Sequence, residues 1–192
     1  MSQSKVKQKT KQNRDLNVKP QSAFKNFLNK FKGDGAHLPP RPAKKTVALA
    51  WLGSVLAIAT IAALTDSISV ALLLGSFGAS CVLVFGYPDL PFSQPRNVIV
   101  GHFLSSFVGL IFLTTLGHHW WTVALSVATA VALMMLTRTI HPPAGSNPVI
   151  IFLTQPSWHF LLFPTLIGAL ILVVVALIYN NITREAKYPK YW

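Results

Sequence analysis

The chain has 192 residues, of which 52% are hydrophobic and only 11% charged, and its mean hydropathy is +0.47. Soluble domains carry roughly 25% charged residues, so this composition excludes an ordinary water-soluble domain and points to a polytopic membrane protein of one domain. The net charge of +12 is unevenly placed: residues 1–45 hold twelve Lys and Arg against Asp15 and Asp34, and the rest holds five cations against three acids, so the basicity belongs to a tail and nucleic-acid binding is not implied.

Residues 1–43 are rich in Lys, Gln and Asn and close on Pro39, Pro40 and Pro42. They hold too little apolar surface to fold alone, so a largely disordered, positively charged anchor is expected. Within them Phe24, Phe27, Leu28 and Phe31 fall at i, i+3, i+4 and i+7 with lysines on the other face. That pattern suits a short surface helix over 23–32 resting on anionic lipid. The apolar part begins too late for a secretory signal, and the tail is too lysine-rich for a transit peptide.

Six apolar segments follow, at about 46–64, 68–87, 97–117, 120–137, 143–155 and 159–179. Several reach the ~17–25 residues that a spanning helix needs. They are continuously apolar, which excludes the alternating pattern of a barrel. The second is punctuated by Gly75, Gly78 and Gly86, and its Cys81 is the single cysteine of the chain, so an intrachain disulfide is excluded. The fifth is short. If all six cross, the N-terminal tail, Arg96, Arg138, Arg184, Lys187 and Lys190 share one side. Thr65-Asp66-Ser67, Gly117-His118-His119-Trp120 and Gln155-Pro156-Ser157-Trp158 share the other. Positive charge marks the first side as cytoplasmic or stromal, with both termini there. A re-entrant fifth segment would instead export the C-terminal cluster, so four or five full spans with re-entrant pieces stay open.

The halves of the apolar region resemble each other. Gly78-Ala79-Ser80-Cys81-Val82-Leu83-Val84-Phe85 aligns with Gly145-Ser146-Asn147-Pro148-Val149-Ile150-Ile151-Phe152, and Thr46-Val47-Ala48-Leu49-Ala50 with Thr122-Val123-Ala124-Leu125-Ser126. Two halves of three segments each would form an inverted repeat of the kind transporters use. Chance likeness between apolar runs is the alternative.

The stretch Thr137-Arg138-Thr139-Ile140-His141-Pro142-Pro143-Ala144-Gly145-Ser146-Asn147-Pro148 places a cation, an imidazole and three prolines between two apolar runs. Polar and ionisable groups at membrane depth suggest function, and the prolines break the helix. A helix starting at Pro142-Pro143 would leave the N–H groups of Ala144, Gly145, Ser146 and Asn147 free, backed by the helix dipole. Gly78, Ala79 and Ser80 would supply a second set. Two such starts facing each other would cage a small anion with no metal, no cofactor and no covalent chemistry.

Arg138 and His141 are candidates for gating or proton relay, and Asn97 with His102 for a second relay. Snorkelling of Arg138, capping by His141 and packing of His102 are the plainer readings. His118 and His119 read as a solvated loop beside the interfacial Trp120 and Trp121. Gly75, Gly101, Gly109 and Gly168 read as close-packing positions. Two other function classes compete with transport: an anchor acting through the basic tail, and a haem carrier using His102 and His141. Neither paired carboxylates nor a nucleophile elbow supports an enzyme.

Met134-Met135-Leu136-Thr137-Arg138-Thr139-Ile140-His141-Pro142-Pro143-Ala144-Gly145 resembles the signature of the HPP family of integral membrane proteins. The block Gly78-Ala79-Ser80-Cys81, Pro88, Gln94-Pro95-Arg96-Asn97-Val98-Ile99 and Gly101-His102 is similar to that family's second hallmark. The resemblance covers about residues 44–180, leaving 181–192 as a short basic tail. Family members are usually described with four spanning helices, and they differ from one another at the Ser146-Asn147-Pro148 continuation. Plastid and cyanobacterial relatives are nitrite transporters, so the resemblance implies nitrite as substrate and a cyanobacterial plasma membrane or a plastid envelope as location. The partners expected are that anion, membrane lipid and, as an open option, further copies of the chain.

Overall fold

In the computed structural model, residues 23–192 are described, so the disorder expected for residues 1–22 lies outside them. The chain divides into Met1–Arg41 and Pro42–Trp192. In the first unit, α1 (Ala23–Lys30) forms on the phenylalanine pattern read above. Its residues from Phe24 onward are exposed, and the Phe27 and Phe31 rings meet edge to face at 5.1 Å.

The second unit is built of helices alone among the described residues. α2 (Lys44–Ile68) is followed by α3 (Gly75–Cys81), which runs on as a π-turn, Val82–Gly86. A 3-10 turn (Pro91–Ser93) leads to α4 (Pro95–Leu116) and α5 (Trp120–Leu136). A second 3-10 turn (Pro142–Ser146) opens α6 (Asn147–Thr154), and Trp158–Leu161 and Leu162–Leu166 precede α7 (Ile167–Thr183). Lys44–Ile68, Pro95–Leu116 and Trp158–Thr183 are long and apolar enough to cross a membrane. This is the all-α membrane fold that the composition requires.

Two boundaries differ from expectation for local reasons. α2 runs through Thr65-Asp66-Ser67 and stops at Ser69, whose φ of 53° is left-handed. The second apolar run is therefore not helical from 68. Residues 71–74 are irregular, the Leu72 N–H bonds Thr65 Oγ1 at 3.2 Å, and helix begins at Gly75. Gly75–Gly86 and Pro142–Thr154 rise only about 18–20 Å at 1.5 Å per residue, against a bilayer core of about 30 Å. As helix alone, neither is long enough to cross.

Positive charge gathers at one end of the bundle. Arg184 and Lys190 both pair with Asp89, Lys190 at 3.1 Å. Lys190 N–H donates to Gln94 Oε1 at 2.7 Å and the Tyr188 hydroxyl to the Ser93 carbonyl at 2.6 Å. Thr46 shares a cleft with Asp89 and Arg184, which brings the start of α2 to the same end. At the opposite end Leu73, Thr154, Ser157 and His159 line a common cleft.

Asp89 holds the C-terminal tail. Its partial burial raises the carboxyl's pKa, but the Lys190 and Arg184 charges outweigh this and hold it below the usual carboxylate value. A depressed group stabilises above its unfolded value and loses that contribution as pH falls through its folded value. The clasp therefore closes at neutral pH and opens in acid. Exposed ion pairs contribute at most about 1 kcal/mol, so Asp89→Asn is expected to raise the rate of tryptic cleavage after Lys187 at pH 7 by about two- to fivefold. An unchanged rate would show that the tail is held without Asp89, by the bonds of Tyr188, Gln94 and Asn181.

Small residues set the helix spacing. A Cβ at Gly168 would run into the Leu72 carbonyl and the Phe77 ring, and one at Gly109 would come within 2.8 Å of Ile151 Cδ1 and 3.1 Å of Pro148 Cα. Gly75, expected to do the same, meets nothing within 4 Å.

Candidate functional site

The site is assembled on α4. Pro95 opens the helix, where its missing N–H is harmless. Asn97, His102, Ser105 and Ser106 are all buried along it, over about 14 Å of helix axis. Gly101 lets residues 139–141 lie against this face: a Cβ there would come within 2.8 Å of His141 Cβ and 3.1 Å of the Thr139 carbonyl.

That segment is fixed from both ends. α5 closes with the Arg138 N–H on the Met135 carbonyl and the Thr139 N–H on the Met134 carbonyl. This is a Schellman turn, in which Arg138 takes the left-handed position, φ 57°, that glycine usually fills. The Arg96 guanidinium donates to the Arg138 and Thr137 carbonyls at 2.9 and 3.0 Å, where the helix dipole favours a cation. Asn97 Nδ2 holds the Ile140 carbonyl at 2.9 Å. The chain is then extended through His141.

His141 enters a buried side-chain network. Its Nδ1 lies 2.7 Å from the Phe92 carbonyl. A carbonyl only accepts, so Nδ1 carries the hydrogen and Nε2 of the neutral ring accepts. Ser80 Oγ lies 2.8 Å from that Nε2 and 2.9 Å from His102 Nε2. Asn147 Nδ2, which only donates, lies 3.1 Å from His102 Nδ1. His102 therefore carries its hydrogen on Nε2. The network has one polarity: Asn147 donates to His102, His102 to Ser80, Ser80 to His141, and His141 to Phe92.

Asn147 Nδ2 also reaches Ser106 Oγ at 2.9 Å, to which Thr165 Oγ1 donates at 3.1 Å. Ser80, His102, His141, Asn147, Ser106 and Thr165 have no accessible surface. Two buried polar atoms beside them, Asn147 Oδ1 and Ser76 Oγ, have no partner. Orphaned buried groups cost about 1–3 kcal/mol each, so a polar ligand or water has reason to bind there.

Of the residues read from the sequence, Ser80, His102, His141 and Asn147 are brought together. Asn97 does not join His102; it positions the 139–141 segment. Arg138 is exposed outside the network, and Gly78 and Ala79 lie on the exposed face of α3. The expected backbone-donor cage does not form. α3 begins at Gly75, so Gly78, Ala79 and Ser80 sit inside it and not at its N-terminus. The Ala144 N–H bonds the His141 carbonyl at 2.9 Å, and the Asn147 N–H bonds the Ala144 carbonyl. Gly145 is half-buried, and the exposed Ser146 turns its hydroxyl back to the Pro143 carbonyl at 2.8 Å. Side chains, not helix N-termini, converge. Between the two Nε2 atoms, where a bis-histidine haem would need its iron, stands the Ser80 hydroxyl. His118 and His119 are exposed at the opposite end, and His119 stacks on Trp121 at 5.6 Å.

Ser76, Ser105, Ser106 and Thr165 were not singled out in the sequence. Ser105 and Ser106 stand three and four residues after His102, one helical turn along the same face. That was the available signal.

The family model for the HPP transmembrane region matches residues 39–189. The chain belongs to the HPP family. It is 35% identical over 179 residues to a transmembrane protein of Dictyostelium discoideum, covering 86% of this chain and 63% of that protein. It is 35% identical over 181 residues to a second transmembrane protein of the same organism, covering 88% of this chain and 58% of the other. The chain thus spans less than two thirds of the length of these relatives. No solved structure matches it. The HPP signature and the Gln94-Pro95-Arg96-Asn97 block are now seen to meet physically, through Arg96 on Thr137 and Arg138 and Asn97 on Ile140.

Proposed function

We propose that this HPP-family protein is a non-catalytic transporter or channel for a small inorganic anion, with nitrite the leading substrate from the family resemblance. One observation carries the reading: His102, two turns into a long apolar helix, is gripped on Nε2 by Ser80 of one short helix and on Nδ1 by Asn147 of the other. Intramembrane polar groups lined by broken helices are a usual form of transport site. The pairing of α3 with α6 around His102 supports the inverted-repeat reading of the two halves. The acids Asp34, Asp66, Asp89 and Glu185 are all exposed, which favours an anion over a carboxylate-bound cation. In this reading the cationic end faces the cytoplasm or stroma, and the membrane is a bacterial plasma membrane or a plastid envelope.

Uptake of nitrite into proteoliposomes tests this. A buried partner left unsatisfied costs about 1–3 kcal/mol, and about 1.4 kcal/mol is tenfold, so Ser80→Ala and His102→Gln are expected to lower uptake by about tenfold or more at equal amounts of folded protein. Absence of uptake by wild type, across several small anions, sinks the reading. α1, with Phe24, Phe27 and Phe31 exposed opposite its lysines, favours a second role for the tail as a tether to anionic lipid. Deleting residues 1–40 separates the two: transport that survives makes the tail a tether or regulator.

A further inference from the structure

The His102–Ser80–His141 triad admits one proton without moving a heavy atom. In the neutral arrangement the Ser80 hydroxyl donates to His141 Nε2. A proton placed on that nitrogen makes it a donor. Ser80 Oγ then accepts from both rings, and its own hydrogen turns to the Ser76 carbonyl, 3.1 Å away. Every hydrogen of the triad has an acceptor in both arrangements. A second proton has no such place: it would meet Asn147 Nδ2, already donating at 3.1 Å, and would put two imidazolium rings at 5.0 Å. Charges that close titrate as a pair, the second proton binding far more weakly.

The resulting imidazolium has no counter-charge among the described residues. Beside Ser80 on α3 stands Cys81, a buried thiol that lines a cleft with Ser54. On α4 the charged group is Arg96, engaged with the Thr137 and Arg138 carbonyls. The 137–141 segment contributes only the exposed Arg138. The Tyr191 hydroxyl of the C-terminal tail reaches Asn97, 3.4 Å away, not the rings. Every acid among the described residues is exposed. A lone buried charge is costly until a partner arrives. One turn from Ser80 on α3, Ser76 Oγ is buried and unpartnered, a donor ready for an incoming anion.

We propose that the site binds one proton together with one small monovalent anion, the triad holding the proton and the anion supplying the missing negative charge. The proton comes from water on the loading side and leaves with the anion, so each cycle is electroneutral. This rests on the anion reading above.

The test uses the full-length protein in detergent, titrated with sodium nitrite in weak buffer containing a pH indicator. About one proton is expected to be taken up per nitrite bound near neutral pH, and by linkage the apparent affinity should fall about tenfold per pH unit above the imidazole titration. Ser80→Thr, which keeps the hydroxyl, should keep both effects. Ser80→Ala should flatten the pH slope. In ¹⁵N spectra of wild type, His102 should carry its hydrogen on Nε2 and His141 on Nδ1. Nitrite binding without proton uptake, or two rings of the same tautomer, overturns the coupling and leaves anion transport standing. No nitrite binding overturns both.

Discussion

Asn147→Asp is expected to abolish nitrite uptake while leaving the protein folded. The two side chains have nearly the same shape, and a carboxylate accepts from His102 Nδ1 and Ser106, whose atoms now lie 3.1 and 2.9 Å from Asn147 Nδ2. What changes is charge. The carboxylate draws the triad's one proton from His141 Nε2 to His102 Nδ1, which it faces, and is its permanent partner there, so the imidazolium no longer needs an anion. A second negative charge about 4 Å from it would be opposed by about 4 kcal/mol at an effective dielectric near 20. Uptake should therefore fall by at least about a hundredfold, the lower end of what that energy implies. The melting midpoint should stay near that of wild type, and ¹⁵N spectra should show His102 protonated at neutral pH. Asn147→Leu gives the contrast: it orphans His102 Nδ1 at about 1–3 kcal/mol and leaves Ser106 with Thr165 as its donor, and its loss is one of stability. Uptake by Asn147→Asp within about threefold of wild type would remove the counter-charge argument, since so small a change is under 1 kcal/mol.

The helices were legible because a charge-free apolar run of spanning length has few other fates. The grouping of Arg96, Arg138, Arg184 and Lys190 at one end was legible from the alternation of loops, and the Asp89 clasp now shows two of them physically tied there. The start of α3 was not. Residues 69–74 are as apolar as the helix after them, and hydropathy cannot see that Leu72 presents its carbonyl to Gly168. In the site, Ser80, His102, His141 and Asn147 were readable because a polar group inside an apolar run must find a partner. The manner of their meeting was misread. The prolines at 142 and 143 announce a helix start but not a 3-10 one, and the tighter turn uses N–H groups that an α-helical start would leave free. Ser105, Ser106 and Thr165 escaped notice because hydroxyls in membrane helices usually bond back to their own helix, as Thr114 does to Leu110. Arg96 looked like one more cytoplasmic charge; only the fold reveals that it caps α5.

Gly101→Val is expected to break the site with little change to the helices around it. Even a single Cβ at Gly101 meets His141 Cβ at 2.8 Å and the Thr139 carbonyl at 3.1 Å. The first belongs to the residue the network depends on and the second is backbone, so neither can swing aside. Valine adds two methyls and forces residues 139–141 away from α4. The Asn97 bond to Ile140, 2.9 Å, and the His141 bonds to Ser80 and Phe92, 2.8 and 2.7 Å, leave little length to absorb that shift. Overpacking of this kind costs about 1–3 kcal/mol, and a displacement near 1 Å at positioned groups can cost about a hundredfold in rate. Uptake should fall at least tenfold in Gly101→Val and less in Gly101→Ala. The matched control is Gly78→Ala, where a Cβ meets nothing within 4 Å and helix propensity improves by about 1 kcal/mol. It should transport as wild type does. The reverse result, Gly78→Ala inactive and Gly101→Val active, would place the anion on the outer face of α3, against its backbone, and away from the imidazoles.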